Sequence, residues 1–111
     1  MTEWQVFQHD YVKKFLSSLP EEEDEARVRQ SFRMLQEVGP RIREPHSKPI
    51  PQVRGLFELR KESNKKLYRA FYFRDGSKFI VVHIFRKQGE RTPPKEIKLA
   101  EKRMEDYKKS K

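Results

Sequence analysis

The hydrophobic positions of this chain change period several times, and each change predicts an element. In EWQVFQ, residues 3–8, Trp4 and Val6 alternate with polar neighbours, the period of a short strand. From Asp10 the spacing shifts, and Tyr11, Val12, Phe15, Leu16 and Leu19 fall on one helical face. Pro20 ends that helix and suits the first turn of another. Glu21, Glu22, Glu23 and Asp24 stand where a helix N-terminus favours negative charge, so they read as a cap. Val28, Phe32, Leu35 and Val38 form the stripe of this second helix, which Gly39-Pro40 ends. Two helices and a tight turn predict an antiparallel helical hairpin.

The stretch PRIREPHSKPIPQ, residues 40–52, has neither period and reads as a proline-rich connection. Three strand-like runs follow: VRGLFELRKE, KLYRAFYFRD and KFIVVHIFRK. ESNK and DGS separate them as hairpin turns, so the runs predict a three-stranded antiparallel meander. After Pro93-Pro94, the spacing of Ile97, Ala100, Met104 and Tyr107 predicts a C-terminal helix. The expected fold is therefore α+β, with an N-terminal strand, a helical hairpin, the meander and a last helix in one domain over residues 1–111.

Composition sharpens this picture in two ways. Hydrophobic residues are only 34% of the chain, but eight Phe and four Tyr give a small core large rings to bury. Lys plus Arg number 26 against 17 Asp plus Glu, a formal charge of +9. That excess favours a polyanionic partner, nucleic acid foremost, ahead of an acidic protein or an anionic membrane surface. Having no cysteine, the chain has no disulfide, thiolate zinc site or cysteine nucleophile. MTEWQVFQHD is not patterned as a signal peptide, and the longest apolar run, FIVVHIF, suits a strand. A cytoplasmic protein without a membrane anchor is expected.

Standard catalytic equipment is missing from the pattern. No glycine-rich phosphate loop occurs, and His9, His46 and His83 lie in different elements, so no metal ligand set or cofactor motif is expected. What remains is cations at strand ends: Arg60 in FELR, Arg69 in LYR, and Arg86 and Lys87 at the end of the last strand, with Arg91 in the turn beyond. A meander reverses twice, so Arg60, Arg69 and Lys87 converge on one rim of the sheet. Such a group can hold a phosphodiester and stabilise the extra charge of a pentacoordinate transition state. The plainer alternative is that strand-end cations keep sheet edges soluble. Glu58 is placed to neutralise Arg60 or Arg69. His83 reads as a hydrogen-bonded core residue, and Tyr68 and Tyr72 as packing aromatics.

From residue 39 to 107 the chain resembles the RelE/ParE toxin superfamily, and most closely its HigB-like, phage-derived branch. The resemblance is carried by GPRIREPHSKPI, GLFELR, LYRAFYF, VVHIFRK and RTPPKEIKLAEKRMEDY. The combined pattern is ELR…YR…H-x-F-x-K…TP-x-x-EI-x-x-A-x-x-R. It implies a RelE-like fold whose helical hairpin covers one side of the sheet, the other side being concave and basic. It also implies a toxin that cleaves messenger RNA in the ribosomal A site, with the RNA's own 2′-hydroxyl as nucleophile and no metal. Arg60 and Arg69 would then contact the scissile phosphate, and Lys87 would stabilise charge or protonate the leaving group. Lys48 in PHSKPI, with Arg86 and Arg91, would contact the ribosomal RNA or the messenger. The branch's second lysine after Lys87 is replaced here by Gln88, with Arg86 or Arg91 as the nearby substitute. The implied partners are the ribosome and its messenger RNA, a helix-turn-helix antitoxin encoded by the adjacent gene, and operator DNA bound through that complex. Two alternatives stay open: a ParE-type gyrase inhibitor, and an inactive basic binding domain.

Overall fold

The computed structural model describes residues 3–111. Strand β1 (Gln5–Gln8) leads into helices α1 (Asp10–Ser17) and α2 (Glu22–Val38). A short 3-10 turn (Gly39–Arg41) and strand β2 (Ser47–Pro49) precede the meander β3 (Leu56–Ser63), β4 (Lys66–Asp75) and β5 (Lys78–Lys87). Helix α3 (Pro94–Lys109) ends the chain. The order across the sheet is β1-β5-β4-β3-β2, with β1 parallel to β5 and every other pair antiparallel.

Each expected element is present, and the sheet gains one strand. β2 lies in the stretch where no period was visible, because three residues beside prolines are too few to show one. It is held instead by pairing with β3, Ser47 opposite Leu59 and Lys48 opposite Glu58, and by a 2.7 Å hydrogen bond between the Ser47 and Tyr72 hydroxyls. The first run of the meander also starts later than its apolar pattern suggests. Val53–Gly55 is a turn, in which Gly55 has φ 87°, and β3 begins at Leu56.

Both faces of the sheet are covered. The hairpin buries Val12, Leu16, Val28, Phe32 and Leu35 against Leu59, Tyr68, Ala70, Tyr72, Phe79, Val81 and Ile84. On the opposite face, Ile97, Ala100 and Met104 of α3 meet Phe71, Phe73, Ile80, Val82 and Phe85. The face that the resemblance leaves open and basic is thus largely occupied by α3, and its exposed part is confined to one end. A bulge in β5 governs which residues reach that end. Phe71 pairs with His83 but Tyr72 with Val81, so Val82 is an extra residue. The alternation reverses there, and His83, Phe85 and Lys87 share the α3 face with Val82.

Two local features fix the hairpin helices. Gly39 ends α2 at φ 67°, and a Cβ there would lie 2.6 Å from Trp4 Nε1, so only glycine fits. Asp24 does more than cap α2: it is wholly buried and accepts hydrogen bonds from Ser63 Oγ (2.5 Å), Asn64 Nδ2 (2.8 Å), Lys66 Nζ (2.6 Å) and Tyr68 Oη (3.0 Å). The first turn of α2 is thereby tied to the β3–β4 turn, whose Asn64 and Lys65 both take positive φ, as a two-residue hairpin turn requires.

Candidate nucleic-acid interface and the family of the chain

Register places the strand-end cations residue by residue. Arg60 lies directly opposite Arg69, and Leu67, two residues from Arg69 on the same face, lies opposite Lys87. Lys48 lies opposite Glu58, two residues from Arg60. Glu58 in turn faces Phe71, whose ring is buried on the α3 side. Lys48, Glu58, Arg60, Arg69 and Lys87 therefore share one face at the end of the sheet beside the start of α3. Arg86 does not join them. It opposes Tyr68, on the hairpin face, because adjacent residues of a strand point to opposite sides.

A cavity of about 630 Å³ opens at this end of the face. Lys48, Glu58, Lys87 and Arg91 line it, together with Glu90, and Thr92, Pro93, Pro94 and Ile97 form the wall at the start of α3. A smaller cavity of about 280 Å³ lies near β1 between Phe7, Ile80 and Val82 and gathers no comparable set of cations.

Glu58 is the electrostatic centre of the larger site. It is buried, and its Oε2 is 2.7 Å from Arg60 Nε and 3.5 Å from Arg69 Nε. The first contact is a charge-assisted hydrogen bond. The second supplies attraction only, since Arg69 Nε is buried and has no hydrogen-bond partner among the described residues. Arg69 is 8% exposed, and its Nη1 donates to the Tyr68 carbonyl at 3.3 Å. Burial, with Arg60 alongside, lowers its pKa against the opposing pull of Glu58, yet a guanidinium stays charged. A buried charged donor without an acceptor is uncommon, and an ordered water or an anion would satisfy it. A phosphate oxygen meets that need and matches the remaining cations.

Comparison with known proteins now bears on this geometry. The family described as Phage derived protein Gp49-like (DUF891) matches residues 14–105. The chain belongs to this Gp49-like family. The family is associated with toxin–antitoxin systems. No curated protein matches the chain. The Gp49-like match spans all six cations proposed from sequence and the cavity wall contributed by α3.

The sequence pattern missed that wall, because Thr92–Ile97 carries no cation run and reads as the start of a helix. It also missed the buried role of Asp24. A signal for Glu58 was present, and the acid does neutralise its neighbours, pairing with both arginines. Among the described residues, no helix is long and apolar enough to cross a membrane.

Proposed function

We propose that this Gp49-like protein is the toxin of a type II toxin–antitoxin system, a ribosome-dependent endoribonuclease that cleaves messenger RNA. The observation that carries the reading is the orphaned Nε of Arg69, buried in a group of cations beside an open cavity. In this reading Arg69 and Arg60 hold the scissile phosphate, and Lys48 and Arg91 hold the flanking backbone. The RNA 2′-hydroxyl gives up its proton to water as its oxygen attacks phosphorus, and the bond to the 5′-oxygen breaks. Lys87 stabilises the developing charge or gives the departing oxygen its proton. The products carry a 2′,3′-cyclic phosphate and a 5′-hydroxyl. Aligned donors that strengthen as charge builds on phosphorus supply the acceleration, and the ribosome supplies the substrate's geometry.

The test is cleavage of a messenger on translating ribosomes, with and without the product of the adjacent gene. The expected result is cyclic-phosphate ends, loss of at least about a hundredfold in rate with Arg69→Ala, and silencing by a co-purifying antitoxin. Chelation with EDTA, after ribosomes are given enough magnesium to stay assembled, leaves the cleavage intact. Growth arrest without RNA ends but with gyrase inhibition would overturn the nuclease reading.

A further inference from the structure

The motif pattern contains three polar residues that the cation site does not use: His83, Glu96 and Arg103. The fold brings them together. His83 is 1% exposed, and its Nε2 lies 2.6 Å from Glu96 Oε1. Arg103 Nη1 lies 2.9 Å from His83 Nδ1 and donates to the Val82 carbonyl at 2.9 Å. Arginine has no acceptor, so Nδ1 must accept, and the proton of a neutral ring sits on Nε2, donating to Glu96. Tyr11 stacks on the imidazole at a centroid distance of 5.3 Å, and the Arg103 guanidinium lies 4.4 Å over the Tyr11 ring.

These contacts grip α3 in its first turn and again seven residues later, roughly 10 Å along its axis. Two fixed points set both the position and the direction of the helix on the sheet. The residues at its start, Thr92, Pro93, Pro94 and Ile97, are the wall of the cationic cavity. Lys87 projects from the same face of β5 as His83, beyond the bulge that sets that face.

We propose that His83, Glu96 and Arg103 form a latch that fixes the α3 wall against Lys87 and Lys48, making His83 a positioning residue for the cationic site. The importance of the wall rests on the reading of that site as an RNA-binding surface. The latch needs the neutral ring, since a proton on Nδ1 would confront Arg103. The groups facing the ring are Glu96 and Arg103 from α3, His9 at the start of α1, and Tyr11 from α1. Burial holds its pKa below the ordinary histidine value, with Arg103 and His9 acting in the same direction and Glu96 opposing. The latch is therefore closed at neutral pH and opens on acidification.

Two substitutions separate positioning from packing. His83→Gln can donate to Glu96 and accept from Arg103 but does not titrate. His83→Phe keeps a ring and removes both bonds. The readouts are amide NMR shifts of Thr92, Lys95 and Ile97 and the affinity for a short single-stranded RNA oligonucleotide, each between pH 8 and 5. In the wild type both are expected to follow the His83 titration. In His83→Gln that inflection disappears and neutral affinity is kept. In His83→Phe affinity falls roughly threefold to thirtyfold at neutral pH, with displaced wall amides. Arg103→Met, which removes only the Nδ1 donor, replaces His83→Phe if that variant does not fold. An inflection retained in His83→Gln, or unmoved amides in the bond-free variant, would overturn the latch. Wild-type RNA affinity equal to that of Arg69→Ala would overturn the RNA reading, while the amide shifts would still decide the latch.

Discussion

Arg60 and Arg69 are neighbours across one strand pair, yet they differ in what they have left to give. Arg60 donates its Nε to Glu58, whereas Arg69 keeps a buried Nε with no acceptor among the described residues. In the proposed reading Arg69 offers that Nε to the phosphate, and Arg60 joins it with its remaining donors while Glu58 keeps the two like charges adjacent. A lysine at 69 would keep the charge but lose the fork, so Arg69→Lys should behave nearly as Arg69→Ala in the cleavage assay. Replacing Glu58 by Leu removes the carboxylate that pairs with both guanidiniums. The expected cost is on the order of 3 kcal/mol, as for other broken buried pairs. Inorganic phosphate should restore part of it, because the anion takes over the acid's place. Denaturant melts of Glu58→Leu with and without phosphate check this, and equal stability in both buffers would count against an anion site.

Among the elements, the β3–β4 hairpin depends on α2 through Asp24. Hydrogen bonds from Lys66 and then Ser63 hold the Asp24 carboxyl well below the ordinary aspartate range, against the opposing effect of burial. The Lys66 ammonium is raised by the same contact. A depressed carboxyl contributes stability that is complete above its unfolded pKa and lost as pH falls toward the folded value. The raised ammonium contributes below its unfolded pKa and loses that contribution as pH rises through the folded one. Asp24→Asn should therefore melt at a lower temperature at pH 7, and its curve should approach the wild type's as pH falls below about 4. Melting temperatures between pH 2 and 7 test it. Asp24 also shows why part of the fold was illegible. In the sequence it is one of five consecutive acids, Glu21 to Glu25, and only the return of β3 and β4 distinguishes it from the other four. Likewise, strand reversal tells which cations reach one end of the sheet but not which face they share. The extra residue at Val82 decides that, and it separates Lys87 from Arg86 in an apolar run with no glycine or proline to mark a bulge.

At the scale of the whole molecule, a charge of +9 attracts any polyanion, so affinity alone does not identify a site. Salt dependence does. Each phosphate neutralised on a single strand contributes about 0.7 to the slope of log affinity against log salt. Lys87→Ala and Arg69→Ala should each reduce that slope by about this amount for an RNA oligonucleotide. Arg86→Ala, on the opposite face, should leave it nearly unchanged. A larger loss for Arg86 than for Lys87 would move the RNA track to the hairpin face.

The parallel edge pair has a consequence for the order in which the protein comes into being. β1 is synthesised first, but its partner begins at Lys78, so their pairing closes a loop of ~70 residues. The three meander strands, joined by tight turns, can assemble before that loop closes, since local contacts form faster than distant ones. The cavity wall arrives later still, with the start of α3. During translation the cationic end of the sheet is therefore among the last surfaces to exist. A growing chain has already made most of the sheet before this cationic site is complete.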